Sequence, residues 1–221
     1  MVSTPTVIVA DDHPLFSSAL SQAVNNSLDS VNIETAFDIA SLQSCVEKKP
    51  LTELILLDLH MPGAHGFSGL IYLSANHPEI PVIVVSAHAS SHIIRRAMDH
   101  GASGYLPKSS SIQEITEAIG QVLAGNLWLP SSYDTNTEAS ISEEMNIADT
   151  LSTFTPQQFR VATILAQGLP NKQIAYELNV TEATIKAHIT EIFRKLGVHS
   201  RTEAVLTIRK LDVLPSGDNQ L

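Results

Sequence analysis

The 221-residue sequence predicts a doubly wound α/β domain, a five-stranded parallel sheet with helices on both faces, followed by an all-α domain of four helices. Three observations point there. Apolar runs of strand length recur through the first half without alternating, as suits strands buried on both faces. Stretches with apolar residues at helical spacing separate these runs. From Thr155 onward only helical patterns and helix caps remain.

Val7-Ile8-Val9-Ala10 is a short buried strand that ends on Asp11-Asp12. Pro14 suits a helix first turn, and Leu15, Phe16, Ala19, Leu20, Ala23 and Val24 make an apolar stripe behind it. Val31 to Phe37 reads as a strand, and Ile39, Leu42 and Val46 mark the next helix. Leu54-Ile55-Leu56-Leu57 is the central run; it ends on Asp58, and Pro62-Gly63 turns the chain into a helix with Phe67, Leu70 and Ile71. Val82-Ile83-Val84-Val85 ends on the hydroxyl of Ser86, and the helix after it carries Ile93, Ile94, Ala97 and Met98 until Gly101. Gly104-Tyr105-Leu106-Pro107 is a short strand ending on Lys108. Ser111 and Glu114 have capping-box spacing and open a helix through Ile112, Ile115, Ile119, Val122 and Leu123.

Asp11, Asp12, Asp58, Ser86 and Lys108 therefore lie at or just beyond carboxyl ends of strands, which open parallel sheets bring to one edge. Taken alone, Asp58 fits a residue that merely caps its turn as well as it fits a functional one. The company changes that. Three carboxylates close together repel unless a cation intervenes, and Mg2+ prefers such oxygen ligands. A carboxylate can be a nucleophile that forms an aspartyl-phosphate, and an opposing Lys and Ser can hold phosphoryl oxygens. The five residues make sense together as a phosphoryl-accepting site.

Composition sets bounds. A hydrophobic content of 43% supports packed cores, and the length suits two modest domains at roughly 100–200 residues each. No run approaches the roughly 18 apolar residues of a membrane span, and the first residues lack a signal-like pattern, so a cytoplasmic protein without membrane contact is expected. The single Cys45 cannot form an internal disulfide. The net charge of −10 is unevenly spread. Residues 1–125 carry 12 Asp/Glu against 5 Lys/Arg, a balance of −7; residues 126–150 carry 5 acids and no base. Residues 151–221 carry 6 acids against 8 bases, a balance of +2, which fits a cation-binding front half and a polyanion-binding tail. The nine histidines show no pair at metal-ligand spacing with a supporting context.

Residues 126–150 read as an acidic linker, polar and without a clear period, with Ile141, Met145 and Ile147 as isolated apolar points. Thr155-Pro156-Gln157-Gln158 then combines an N-cap, a proline at the first helical position and a capping-box Gln. Gly168 closes that helix, and a short second helix runs from Asn171 through Ile174 and Ala175 to Leu178. Thr181 caps a third helix to Leu196, closed by Gly197, and Ser200 with Glu203 opens a fourth. Two short helices around a tight turn are the shape of a helix-turn-helix. On the third helix Ile185, Ile189, Ile192 and Leu196 form one stripe, and Ala183, Lys186, Ala187, Thr190 and Arg194 fall on another. By pattern alone that second face suits a DNA reader and an ordinary solvated face equally.

Two resemblances settle both halves. Residues 5–125 resemble the receiver domain of a two-component response regulator through Asp11-Asp12-His13-Pro14-Leu15-Phe16, Asp58-Leu59-His60-Met61-Pro62-Gly63, Ser86-Ala87 and Gly101 to Lys108. The resemblance implies a flavodoxin-like fold in which Asp58 accepts phosphate from a histidine kinase. It further implies that Asp11, Asp12, Asp58 and the main-chain carbonyl of His60 hold Mg2+. Ser86 and Lys108 would grip the phosphoryl group, and Tyr105 would be the aromatic that turns in when Ser86 moves. Residues 153–211 resemble the LuxR-type helix-turn-helix through Phe154-Thr155-Pro156, Ala166 to Ala175, Val180 to Ile189 and Lys195 to Ala204, which completes the NarL/FixJ architecture. That family commonly has Glu where Gln158 stands, and Gln can still close the cap.

The expected organisation is a receiver over 1–125, a linker over 126–150 and a DNA-binding domain over 151–221. The expected function is a non-enzymatic, phosphorylation-controlled transcription regulator that binds double-stranded promoter DNA as a dimer paired through residues 201–211. Lys172, Thr181, Ala183, Thr184, Lys186, Ala187, Thr190, Arg194, Lys195 and Arg201 are the expected DNA contacts. One rival is a Mg2+-dependent phosphohydrolase with Asp58 as nucleophile, which would usually carry a second acid where His60 stands. Another is a regulator that ignores phosphate and senses a ligand or a partner.

Overall fold

The computed structural model describes residues 4–49, 51–134 and 142–213. Strands β1 (Thr6–Ala10), β2 (Asn32–Ala36), β3 (Thr52–Asp58), β4 (Val82–Ser86) and β5 (Gly104–Pro107) form one sheet in the order β2-β1-β3-β4-β5. All neighbours are parallel. The central strand β3 is buried on both faces, because Leu54 and Leu56 enter one core and Ile55 and Leu57 the other. Helices α1 (Pro14–Ser27) and α5 (Ile112–Leu123) cover the first face with Leu20, Val24, Ile115 and Ile119. Helices α2 (Ile39–Lys48), α3 (Ser68–Asn76) and α4 (Ser91–Asp99) cover the second. The predicted α1 stripe is narrower than its apolar residues suggest: Leu15 is 89% exposed, and Ile112 on α5 also faces solvent. The predicted cap of α5 is present, with the Glu114 amide donating to Ser111 Oγ at 3.2 Å and the Ser111 amide to Glu114 Oε2 at 2.8 Å.

After α5 the chain adds to the sheet edge. The Tyr105 amide donates to the Trp128 carbonyl at 3.0 Å and the Trp128 amide to the Ser103 carbonyl at 3.1 Å, which covers part of β5. The stretch read as linker holds a helix, α6 (Ser142–Ser152). Its buried residues Ile147, Ala148 and Leu151 sit at helical spacing, but Leu151 falls past the expected boundary at 150, so the stripe was cut in two. Ile141 lies outside the described residues.

Helices α7 (Pro156–Ala166), α8 (Asn171–Glu177), α9 (Glu182–Leu196) and α10 (Arg201–Arg209) follow. The Gln158 cap closes as expected, the Gln158 amide donating to Thr155 Oγ1 at 3.2 Å and the Thr155 amide to Gln158 Oε1 at 3.1 Å. Gly197 ends α9 at φ +67°, a left-handed conformation that glycine takes without a Cβ penalty. At the start of α10, Ser200 caps the Glu203 amide at 3.2 Å, while the Glu203 carboxylate reaches one residue further back to the His199 amide at 2.8 Å. The core of these helices is continuous with the α2–α4 face of the sheet; Phe159 of α7 stacks on Tyr72 of α3 with ring centroids 4.6 Å apart. Among the described residues no helix is long and apolar enough to cross a membrane.

Candidate functional site

The parallel register decides the site. Ala10 pairs with Leu57, Asp58 with Val85 and Ser86 with Pro107, so the residues ending β1, β3, β4 and β5 meet at one edge. Asp11 and Asp58 are buried there, and Asp12 is half-buried. Lys108 bridges the first two, its ammonium 2.7 Å from Asp11 Oδ2 and 2.9 Å from Asp58 Oδ2. The same ammonium lies 4.9 Å from the centre of the Phe16 ring. Asp58 Oδ1 accepts the His60 amide at 3.1 Å, and His60 Nδ1 is 3.7 Å away. Burial alone would raise the Asp58 carboxyl, but the His60 and Lys108 bonds outweigh it and hold it below the usual carboxylate range. For Lys108, burial works downward and loses to Asp11 and Asp58, so the ammonium is held above its ordinary value.

Ligating atoms of Asp11, Asp12, His13 and Asp58 all lie within 4.8 Å of one another. Asp11 Oδ2 and Asp12 Oδ1 are buried, the former 2.7 Å from the Lys108 ammonium and the latter 2.7 Å from His13 Nδ1. Three carboxylates that share one lysine leave an excess of negative charge, and their hard oxygens suit a hard cation. Ser86 is fully buried, and its hydroxyl accepts the His88 amide at 3.2 Å. Tyr105 is fully buried too, and its hydroxyl donates to the His88 carbonyl. Burial pushes that phenol up to about 12, with a smaller opposing contribution from Ser86. In this structure the Tyr105 ring lies inward. The rings of His60 and His88 are 5.1 Å apart at the site's mouth.

In the C-terminal domain α9 buries Ile185, Ile189 and Ile192, which turns Ala183, Lys186, Ala187, Thr190 and Arg194 to solvent as predicted. Thr181 is the N-cap, its Oγ1 accepting the Thr184 amide at 3.1 Å, so these two threonines begin by ordering the helix. Lys186 pairs with Glu182 at 3.2 Å across one turn, an exposed contact that is easily exchanged for another. Lys172 on α8 is exposed.

Two of the residues expected at DNA, Lys195 and Arg201, make bonds within the domain. Lys195 donates to the Thr153 carbonyl at 2.7 Å and to Gln158 Oε1 at 2.8 Å. Arg201 bonds Asn171 Oδ1 at 3.2 Å and the carbonyls of Leu165 and Leu169. Both cations satisfy helix ends that would otherwise be unpaired, so their structural role is already occupied.

Sequence reading missed a buried group. Arg96, His100 and Glu144 are 5%, 6% and 7% exposed. A signal was present: Arg96 stands three residues after Ile93 on the apolar side of α4, and His100, four further on, is the C-cap residue of that helix.

A strand-edge acidic cluster with an opposing lysine, joined to a helix-turn-helix, defines a phospho-acceptor domain coupled to a DNA reader. The chain belongs to the response regulators: residues 7–120 match the family described as response regulator receiver domain, and residues 152–208 match bacterial regulatory proteins, luxR family. It is 37% identical over 211 residues to the glycerol metabolism activator of Pseudomonas putida, covering 93% of this chain and 96% of that one. It is 34% identical over 203 residues to the nitrate/nitrite response regulator protein NarP of Escherichia coli, covering 90% and 92%. Among solved structures, RcsB of Salmonella enterica bound to a promoter in the presence of a phosphomimetic shares the fold, with TM-score 0.56 and 22% identity over 95% of this chain and 100% of that one. The chain is a transcriptional response regulator with a LuxR-type DNA-binding domain.

Proposed function

We propose that Asp58 accepts a phosphoryl group from a histidine kinase and that this controls binding of the C-terminal domain to promoter DNA. The observation that carries the reading is the pairing of a buried strand-end carboxylate with Lys108, next to the further carboxylates of Asp11 and Asp12. Asp11, Asp12, Asp58 and the carbonyl of His60 would hold Mg2+, which when bound supplies positive charge against the carboxylates and the incoming phosphoryl oxygens. An Asp58 oxygen attacks phosphorus and the donor's P–N bond breaks, leaving the electron pair on the imidazole nitrogen. Lys108 exchanges its carboxylate contacts for a phosphoryl oxygen, and Ser86 donates its hydroxyl to another. The receiver's chemistry is confined to its own phosphorylation and dephosphorylation.

The proposed organisation is a receiver over 1–125, a connecting segment over 126–150 and a DNA-binding domain over 151–221. Ala183, Lys186, Ala187, Thr190 and Arg194 face base edges, and Lys172 meets a backbone phosphate. With so few free cations, two domains are needed: each phosphate neutralised adds about 0.9 to the salt slope, and a pair doubles the term. The phosphorylated protein therefore binds as a dimer paired through α10, in the cytoplasm where promoter DNA is found.

Incubation with a small phosphodonor and Mg2+ should label the wild type on Asp58 and leave Asp58→Asn unlabelled. Mass spectrometry that locates the phosphoryl group on another residue overturns the assignment.

A further inference from the structure

A groove of about 500 Å3 runs between α1 and the end of β2. Its lining carries no charged side chain, and all 14 residues of α1 are uncharged. A helix face that meets only water usually carries charges along its turns. Here Ser17, Ser18, Ser21, Gln22 and Asn25 recur three and four positions apart, so hydroxyls and amides share one face. The opposite wall comes from β2. Val9 packs in the core beneath α1 and pairs with Thr35, so the Thr35 side chain stands on the α1 side of the sheet. Phe37, two residues on, completes that wall and is 52% exposed.

The polar groups of the groove differ in what they have left to offer. The Ser18 hydroxyl donates to the Pro14 carbonyl at 3.0 Å and the Ser21 hydroxyl to the Ser17 carbonyl at 2.8 Å, which spends their protons and leaves lone pairs. The side-chain amides of Gln22 and Asn25 have no hydrogen-bond partner among the described residues, and each offers donors and an acceptor. Ser17 is only 5% exposed, yet its hydroxyl has no partner among the described residues and opens into the groove. A hydroxyl so placed is satisfied only by what enters the groove.

We propose that this groove binds a neutral polyhydroxylated small molecule, a sugar or polyol. Each hydroxyl of such a ligand both donates and accepts, which matches the acceptors of Ser18 and Ser21 beside the donors of Ser17, Gln22 and Asn25. The exposed Phe37 offers an apolar surface to the C–H face of the ligand. A carboxylate or phosphate meets no cation here and an amine meets no carboxylate, so a charged ligand loses solvation without a compensating partner. The volume falls within the roughly 300–1,000 Å3 of small-molecule sites.

The test uses the full chain without phosphodonor or DNA, so it stands or falls apart from the assignment of Asp58. Glucose, myo-inositol and sucrose are each titrated to about 50 mM while backbone amide resonances are followed by NMR. At least one should shift the Ser17, Asn25 and Phe37 amides saturably, with a Kd below about 10 mM, and leave those of β5 in place. Phe37→Ala and Asn25→Ala, both at exposed positions, should each weaken that binding at least about fivefold. Gluconate and glucosamine, charged counterparts of glucose, should produce no saturable shift over the same range. No saturable shift with any of the three neutral probes overturns the proposal, as does binding that both variants leave unchanged. Equal binding of gluconate or glucosamine overturns the selection of a neutral ligand.

Discussion

The strand-end cluster and the α4–α6 cluster are built from the same parts and are balanced differently. Each places a carboxylate in the protein interior against a long cation, Asp58 with Lys108 and Glu144 with Arg96. In each, burial would raise the carboxyl, and hydrogen bonds overcome it and hold it low. The difference lies in what is left over. Glu144 has both oxygens engaged by Arg96 and one also by His100, so nothing remains to bind. At the strand edge one lysine serves Asp11 and Asp58 together, and Asp12 adds a third carboxylate beside them. A saturated ion cluster fixes geometry; an undersaturated one, with more carboxylates than cations, suits a further cation.

The largest test of that contrast is Glu144→Ala, which strands the Arg96 charge. It should cost roughly 3–5 kcal/mol in urea unfolding of the full chain. A loss below about 1 kcal/mol would show that the cluster is already hydrated and not saturated by protein.

Acid titration sharpens the comparison at the next level. The folded pKa of Glu144 lies below the ordinary value of about 4.3, so its contribution is complete above that value and is lost as pH falls through the lower folded one. The melting temperature of Glu144→Gln should therefore decline less than that of the wild type between about pH 5 and pH 3. Parallel decline in the two proteins would remove Glu144 from the acid response.

The smallest effect on stability belongs to the undersaturated cluster. Asp12→Asn relieves crowding among like charges at a half-exposed position, so unfolding should shift by no more than about 0.5 kcal/mol. Phosphodonor labelling with Mg2+ should nevertheless fall sharply. A large stability loss with intact labelling would reverse the roles assigned to the two clusters.

Much of the strand-end cluster was legible because a strand buried on both faces announces itself as an unbroken apolar run, and parallel topology sends all such ends to one edge. Asp11, Asp58, Ser86 and Lys108 follow from that pattern together with the receiver resemblance. The caps at Ser111, Thr155 and Thr181 were legible for a local reason, since each is completed within three residues. The α9 face was likewise set by helical spacing.

What spacing could not supply is the partner of a side chain distant in sequence. Lys195 and Arg201 look like free cations in sequence, yet tertiary packing brings each of them to helix ends that need donors. Arg96 and Glu144 stand 48 positions apart, and nothing local tells either that the other will neutralise it. The inward position of Tyr105 belongs to the same class, because its hydroxyl partner is the His88 carbonyl on a neighbouring loop. By itself the sequence determined the strands, the caps, the placing of Asp11, Asp58, Ser86 and Lys108 at strand ends and the solvent face of α9, since periodicity and nearest neighbours specify them. Only the tertiary structure decided which buried charges are satisfied, because that depends on which surfaces the cores bring together.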